Sequence, residues 1–263
     1  MLLFEVIAAH LSRRLAVATR LDCDSTRSAP APDGPDPFST GQADVGFLCA
    51  PGYLWLAERR PPKVELVPAA FVFDDPRCQG RPVYFAELVV ARSSPARSLA
   101  DLRGAAWVYN DPCSLSGYFS VLAALEALGA DRGFFRSARA VGSHHAALRA
   151  VERGDSDCAA IDSNTLLAEQ RRGAAHGVRV IESLGPYPVQ PVVVRAGLAH
   201  ERKTAIAAEL LGMHEAEPGR SYLARCGVRR FAPITPADYE PERALLARAG
   251  SVASSLSCAA AQG

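Results

Sequence analysis

Apolar residues recur along the chain in short runs of two kinds, which predict an alternation of strands and helices. Runs typical of strands lie at residues 15–21, 43–48, 64–73, 83–91, 105–109, 157–161, 179–182 and 192–195. Runs with helical periodicity lie at residues 2–15, 51–58, 119–128, 164–172, 199–213, 221–226 and 241–248. Residues 140–154 are typical of a strand end followed by a helix that is capped by Ser143 and ends at Gly154. Pro, Ser and Gly concentrate at residues 25–37, which predicts an irregular surface loop with a mobile tip. The residues after Ser251 are small and polar and predict a frayed end.

The order of these elements predicts an α/β fold with two lobes. The chain is expected to cross between the lobes near residues 88–92 and 187–193. Residues 1–90 and 190–263 would then form a discontinuous first lobe, and residues 91–189 would form the second lobe. Such a clamshell would bind a ligand in its crevice, as open α/β sheets generally do.

The charge and the cysteines exclude several classes of function. The formal net charge is +1 and the arginines are scattered, so nucleic acid and an anionic membrane surface are not expected partners. The seven cysteines form no CxxC pair and no zinc-like spacing with the histidines, so no metal site is predicted. Their odd number rules out a complete disulfide framework, although one or two bridges stay open.

A polar stretch, residues 110–118, connects an apolar strand to a helix. Ser114, Ser116 and Gly117 stand where this helix begins. Free N–H groups and the positive end of the helix dipole meet the two hydroxyl groups there, so the stretch can hold an anion. The alternative is that one serine only caps the helix.

The chain also contains the residue types of a catalytic triad. Ser114, Ser116, His144 and Asp162 supply the residue types of a Ser/His/Asp triad, but neither serine lies in a G-x-S-x-G motif. We therefore assign no catalytic residue. Trp55 and Trp107 stand within apolar runs and are expected to pack in the interior.

Six segments in a fixed order carry a family resemblance, and they span about residues 40–200: GQADVGFLCAPGY, VYFAELVVARSS, SLADLRG, NDPCSLSGY, GSHHAALRAVERGDSDCAAID and PYPVQPVVV. In this order the chain resembles the PhnD-like phosphate, phosphite and phosphonate substrate-binding proteins of ABC transporters. The resemblance implies a type II periplasmic-binding-protein fold that closes around a small oxyanion without catalysis or cofactor. It also implies an ABC transporter permease as partner, a monomeric state, no insertion into the membrane, and a periplasmic location.

The resemblance assigns ligand contacts to particular residues. The phosphonate cradle of the family corresponds to Ser114, Leu115 and Ser116, followed by Gly117. Leu115 stands where the family has a hydroxyl, so it offers only its backbone N–H. Losing that donor costs on the order of 1.5–3 kcal/mol for a charged, desolvated ligand. The ligand-facing histidine corresponds to His144, for which a solvated position at a helix start is the alternative.

Tyr84 corresponds to the family's tyrosine on the crossing strand, and the alternative is a core aromatic residue. Relatives that bind aminoalkyl phosphonates hold the ammonium group with acidic residues, and the matching positions here are Asn164 and Gln190. Asp162 lies nearby and is a ligand contact or a helix cap. The resemblance therefore favours an uncharged-tail phosphonate, phosphate or phosphite over 2-aminoethylphosphonate.

The beginning of the chain leaves two questions open. Family members begin with a strand, but the helix at residues 2–15 comes first here, and its Glu5 and missing basic region fit neither a signal peptide nor a membrane span. Either the start codon is placed too late or the first lobe lacks its N-terminal strand, and we hypothesise the former. The chain as given is expected in the cytoplasm unless its start lies upstream. A cytosolic enzyme of the same fold, of the menaquinone-pathway type that acts on an aromatic carboxylate with His144 as base, is the alternative function.

Overall fold

The computed structural model of the chain describes residues 2–24, 27–131 and 133–257, and from residue 250 onward only the backbone. The helices are α1 Leu2–Leu15, α2 Ala50–Glu58, α3 Ser120–Ala127, α4 His144–Arg153, α5 Ser163–Arg171, α6 His200–Gly212, α7 Gly219–Arg225 and α8 Glu240–Ser257. Turns of 3₁₀-helix lie at Pro76–Cys78, Ala100–Leu102 and Pro236–Tyr239, and a π-helical turn lies at Leu115–Phe119. The residues after Ser251, which the sequence predicts as a frayed end, continue α8 as far as Ser257. Cys258 and the residues after it lie outside the described residues.

Most of the strands are short, and two of them are long. They are β1 Val45–Phe47, β2 Val64–Leu66, β3 Ala70–Phe73, β4 Val83–Ala91, β5 Ala106–Tyr109, β6 Ser137–Ala140, β7 Cys158–Asp162, β8 Val178–Pro188, β9 Val192–Arg195 and β10 Val228–Ala232. The strand predicted at residues 15–21 is absent, because Ala16 takes a left-handed backbone conformation (φ 51°) and residues 17–21 form no ladder. Alternating strands and helices make the fold α/β, as the pattern predicts.

The chain divides into two compact units. The first unit comprises residues 1–24, 29–84 and 187–239, and the second comprises residues 25–28, 85–186 and 240–263. The boundaries at residues 84–85 and 186–187 fall within the long strands β4 and β8. These units differ from the predicted lobes chiefly at the C-terminus, since α8 belongs to the second unit rather than to the first.

The first unit contains two small antiparallel sheets. One has the strand order β1-β9-β2, and the other pairs β3 with β10. Aromatic rings pack in a row from α1 to β10, with 4.9 Å between the centroids of Phe4 and Phe47 and 4.8 Å between those of Phe71 and Phe231. Helix α1 packs against α6 and α7 beside this row. An aromatic core of this size explains how short strands form a stable layer.

The Pro-rich segment at residues 25–37 is irregular, as predicted, but it is more than a surface loop. Ala29 and Asp36 are buried, and the Arg59 guanidinium holds the loop by donating to the Asp36 carboxylate at 2.8 Å and to the Pro32 carbonyl at 2.7 Å. Ser25 and Thr26 lie outside the described residues. The packing of Ala29 also requires Gly52, because a Cβ at that position would approach the Ala29 Cβ to 2.2 Å.

The second unit contains a five-stranded mixed sheet with the order β6-β5-β7-β4-β8. Strand β5 pairs in parallel with both β6 and β7, whereas β4 and β7 are antiparallel. Helices α4 and α5 cover β7, and their apolar residues form a buried cluster with Val89, Val108 and Ile161. The carboxyl ends of the parallel strands β5, β6 and β7 therefore meet at one edge of the sheet.

Candidate functional site

The helix that follows β5 begins with the predicted polar stretch. The Ser114 hydroxyl caps it by accepting a hydrogen bond from the Gly117 N–H at 3.0 Å, so this serine is a helix cap, and its contact with a ligand remains a prediction. The first turn is π-helical, since the Phe119 N–H donates to the Ser114 carbonyl at 3.1 Å, and it continues directly into α3. A π-helical turn widens the helix start, and such turns are frequent at functional sites.

Ser116 and His144 form the contact that joins this turn to α4. The Ser116 Oγ lies 3.2 Å from the His144 Nε2, and Ser116 is 2% exposed. His144 is the first residue of α4, which is capped by the Ser143 hydroxyl accepting from the Ala146 N–H at 3.1 Å. Leu115 is buried in the core, so its side chain does not belong to this polar group.

His144 is neutral at neutral pH. Burial of the ring lowers its pKa to about 4, His145 adds to this effect, and the Asp111 charge and the backbone of Ala160 oppose it. The buried Nδ1 makes no hydrogen bond of normal geometry within the described residues. A neutral imidazole has one N–H donor and one nitrogen acceptor and carries no positive charge.

Asn110 and Asp111 at the end of β5 form a buried network that the sequence did not assign to the site. The Asn110 amide nitrogen donates to the Ser28 Oγ at 2.9 Å and to the Asp111 carboxylate at 3.0 Å. The Ser28 hydroxyl also donates to the Asp111 carboxylate, and the Cys113 N–H donates to the same group at 2.8 Å. Asn110 and Asp111 could be found from the sequence, because they are polar residues directly after a buried strand. Nothing in the sequence indicates Ser28.

Gly117 permits the close approach of this network to the helix. A Cβ at this position would lie 1.8 Å from the Asn110 Oδ1 and 3.2 Å from the His144 Cε1. Contacts that short do not occur between real atoms, so any side chain at residue 117 would displace Asn110. Asn110, Gly117 and His144 therefore meet at one point, which brings the end of β5 and the starts of two helices together.

Asp162 and Asn164 lie at the end of β7 in the same unit. The Asp162 carboxylate caps α5 by accepting from the N–H groups of Asn164 at 2.8 Å and Thr165 at 3.2 Å. Both polar side-chain atoms of Asn164 are buried without a hydrogen-bond partner in the described part of the chain. Parallel pairing of Val108 with Ala159, continued along the strands, places Asp162 level with Asp111.

The remaining two predicted residues belong to the first unit. Tyr84 is 1% exposed, and its ring centroid lies 6.3 Å from that of Tyr187. This burial agrees with the core-aromatic alternative. Gln190 is partly exposed and stands just before β9. The structure thus groups Ser114, Ser116, Gly117 and His144 and leaves the ligand contacts of Tyr84 and Gln190 as predictions.

The described ranges contain neither a group suited to a metal ion nor a disulfide. No group of His, Cys, Asp and Glu residues there could hold a metal ion. The six cysteines outside the undescribed C-terminus are all free thiols. Within the ranges described, no helix combines the length and the apolar character needed to cross a bilayer.

Comparison with solved structures identifies the fold. A binding protein component of an ABC phosphonate transporter from Pseudomonas aeruginosa matches with a TM-score of 0.77 and 19% identity, over 95% of this chain and 82% of that chain. PhnD1 from Prochlorococcus marinus in complex with methylphosphonate matches with a TM-score of 0.75 and 16% identity, over 93% and 91%. XAC2383 from Xanthomonas citri bound to ATP matches with a TM-score of 0.68 and 18% identity, over 97% and 94%. The predicted periplasmic-binding-protein fold is confirmed.

Comparison with family sequence models identifies the family. The model described as the periplasmic substrate-binding protein of phosphonate ABC transporters matches residues 33–239, which is most of the chain. This match confirms the resemblance carried by the six sequence segments. The chain therefore belongs to the family of periplasmic substrate-binding proteins of phosphonate ABC transporters.

Proposed function

We propose that this chain binds a small oxyanion, namely a phosphonate, phosphate or phosphite, at the turn formed by residues 114–117, and that it does so without catalysis. The observation that carries the proposal is the contact between the Ser116 hydroxyl and His144 at the start of a helix. Backbone N–H groups, a helix dipole and a hydroxyl group converge there, which is the usual chemistry of an anion site. Ser116 also offers its backbone N–H, and the resemblance assigns the Leu115 N–H to the ligand as well. The N–H groups of Ser114 and Gly117 donate to the Asp111 carbonyl and to the Ser114 hydroxyl, so these two residues fix the turn.

The state of His144 supports binding over catalysis. A general base works best when its pKa lies near the operating pH. Burial lowers the pKa of His144 to about 4, so its ring is a weak base. No observation favours the aromatic-carboxylate enzyme over the binder, and the family to which the chain belongs consists of substrate-binding proteins.

The residues at the end of β7 support a ligand without a cationic group. Asn164 is neutral, and the Asp162 carboxylate already accepts two backbone N–H groups. Gln190, which the resemblance also assigns to the ligand, is neutral as well. Methylphosphonate, which PhnD1 from Prochlorococcus marinus holds, has an uncharged tail of this kind. We therefore expect a stronger response to methylphosphonate, phosphate or phosphite than to 2-aminoethylphosphonate.

The proposal extends to partners and location. The family acts with an ABC transporter and is periplasmic, which supports delivery of the ligand to a permease in that compartment. A monomeric state and ligand contacts from Tyr84 and Gln190 remain predictions. The predicted division into lobes at residues 90 and 190 also remains a prediction.

A thermal-shift panel tests the proposal directly. The purified chain is titrated with methylphosphonate, phosphate, phosphite, 2-aminoethylphosphonate, sulfate and an aromatic carboxylate. A true ligand raises the melting temperature progressively, and at one hundred times its dissociation constant it stabilises the folded state by about 2.7 kcal/mol. Stabilisation by the aromatic carboxylate alone would refute the oxyanion proposal and support the enzyme.

A single variant tests the turn itself. Ser116→Ala removes the hydroxyl that contacts His144 and should weaken oxyanion binding at least about tenfold, or about 1.4 kcal/mol, without unfolding the protein. Ser137→Ala, on an exposed strand of the same unit, is the matched control and should leave the affinity unchanged. Equal affinities of the two variants, measured by titration calorimetry, would mean that Ser116 has only a structural role.

A further inference from the structure

The orientation of the Asn110 amide is fixed by its neighbours. Its nitrogen donates to the Asp111 carboxylate at 3.0 Å and to the Ser28 hydroxyl at 2.9 Å. A carboxylate can only accept hydrogen bonds, so the NH₂ group must face Asp111 and the amide oxygen must face the other way. The same network therefore determines where the acceptor of Asn110 points.

That acceptor lies against the helix start without a partner. Asn110 is 4% exposed, and its Oδ1 makes no hydrogen bond within the described residues. Oδ1 lies 1.8 Å from where a Cβ of Gly117 would be, and the His144 Cε1 lies 3.2 Å from the same point. Buried acceptors are normally paired, so an unpaired one at this position points to a missing donor.

We propose that Asn110 is a further ligand-binding residue, whose amide oxygen accepts a hydrogen bond from the hydroxyl group of a protonated oxyanion. This inference rests on the proposed function and narrows it, because the site then selects a monoanion that still carries one O–H. The Ser116 hydroxyl and the first-turn N–H groups bind the deprotonated oxygens, and Asn110 binds the protonated one. A fully deprotonated anion would place an oxygen lone pair against Oδ1, which is repulsive.

The charges around the position where Asn110, Gly117 and His144 meet also favour a single negative charge on the ligand. Asp111 is buried next to Asn110, and Asp162 is buried at the end of the adjacent strand. His144 faces the point as a neutral ring, since burial lowers its pKa to about 4. Tyr109 and Tyr118 are neutral too, because burial raises the pKa of each phenol. Arg27 is close enough to lower the pKa of the Cys113 thiol against the larger effect of burial, so one positive charge lies near the turn.

The ratio of the affinities for methylphosphonate and sulfate tests whether the site selects a protonated anion. The dissociation constants of methylphosphonate and sulfate are measured by titration calorimetry at two pH values that bracket the second pKa of methylphosphonate. Sulfate stays fully deprotonated throughout and should bind more weakly than the methylphosphonate monoanion, and the ratio cancels changes in the protein's own titrating groups. If sulfate binds too weakly to measure, the dissociation constants of methylphosphonate at the two pH values are compared directly. We expect the preference for methylphosphonate to fall about tenfold for each pH unit above that second pKa, because the monoanion becomes rarer.

Two outcomes contradict the inference in different ways. If both anions bind and their affinity ratio does not change with pH, the site is an oxyanion site without proton selection, and only this inference fails. If no oxyanion binds at either pH, the proposed function fails with it.

A variant assigns the selection to Asn110. Asn110→Ala removes the acceptor without crowding Gly117, so the affinity ratio should become independent of pH, while Ser137→Ala should retain the wild-type dependence. A pH-dependent ratio that persists in a folded Asn110→Ala protein would overturn the assignment. If this variant does not fold, the pH dependence of the wild-type ratio decides the inference.

Discussion

The first turn of α8 contains a carboxyl group in an unfavourable environment, and replacing it should stabilise the protein. Glu242 is 2% exposed, and its Oε2 has no hydrogen-bond partner among the described residues. Leu245 and Ala249, on the same face of α8, are buried too, and the helix packs against α3. Burial raises the pKa of Glu242 from 4.5 to about 7, although a hydrogen bond from its own backbone N–H opposes this shift.

The sign of the effect follows from the proton balance. Between pH 4.5 and about pH 7 the folded state binds more protons at Glu242 than the unfolded state does. The free energy of unfolding therefore falls as the pH rises through this window, and the loss is constant above it. The full shift corresponds to about 3 kcal/mol, and we expect roughly 1–2 kcal/mol because the helix dipole and local solvation favour the charged form.

Glu242→Gln removes the ionisable group and keeps the shape of the side chain. Urea unfolding of the variant and the wild type, below pH 4.5 and above pH 7, should show nearly equal stability at the lower pH. At the higher pH the variant should be more stable by roughly 1–2 kcal/mol. Glu240→Gln, which alters an exposed carboxylate paired with Arg243 at 3.1 Å, is the matched control and should change the stability by less than about 1 kcal/mol. A Glu242→Gln protein no more stable than wild type above pH 7 would refute the reasoning.

Two further predictions concern the site. Gly117→Ala should abolish oxyanion binding in a thermal-shift titration, because its Cβ would lie 1.8 Å from the Asn110 Oδ1, whereas Gly212→Ala within α6 should leave binding intact. The lowered pKa of His144 predicts that the free energy of unfolding falls as the pH drops from 6.5 to about 4, since the unfolded state takes up the proton first. His144→Gln should flatten this acid limb in urea unfolding, and an unchanged limb would contradict the assignment.

The elements that could be predicted from sequence are those with a clear apolar period. Strands β4 and β9 coincide with the apolar runs at residues 83–91 and 192–195, and α4 ends at Gly154 as its capping pattern indicates. These segments are buried on one face or throughout, so the pattern of side chains and the structure respond to the same core.

The elements that escaped prediction lack this signal. Strand β6 (SARA) is exposed along its length, and β10 (VRRFA) contains adjacent arginines, so neither shows a strand period. Both form by pairing with a neighbour, β6 with β5 and β10 with β3. The run at residues 64–73 was predicted as one strand but forms two, because β2 pairs with β9 and β3 with β10. Tertiary pairing, which a single sequence does not encode locally, decides these segments.

The candidate site likewise contains residues that could be predicted from the sequence and residues that could not. The turn at residues 114–117 and His144 could be predicted because helix starts have local signatures and because the family motif spans them. The contact of Ser28 with Asp111 joins residues 83 positions apart, and it could not be read from either segment alone. Both residues belong to the second unit, although Ala29, the residue after Ser28, belongs to the first.

This distant contact determines the chemistry of the turn. Ser28 donates to Asp111, the Asp111 carboxylate orients the Asn110 amide, and the amide oxygen then requires a glycine at residue 117. The groups that converge on the helix start are consequently an amide oxygen, hydroxyl groups, backbone N–H groups and a neutral imidazole. The proposed attraction for an anion at this position would arise from oriented dipoles in a buried setting, where they act more strongly than in water. Leu115 fits this arrangement, because a turn that binds through backbone N–H groups keeps those donors whatever side chain the residue carries.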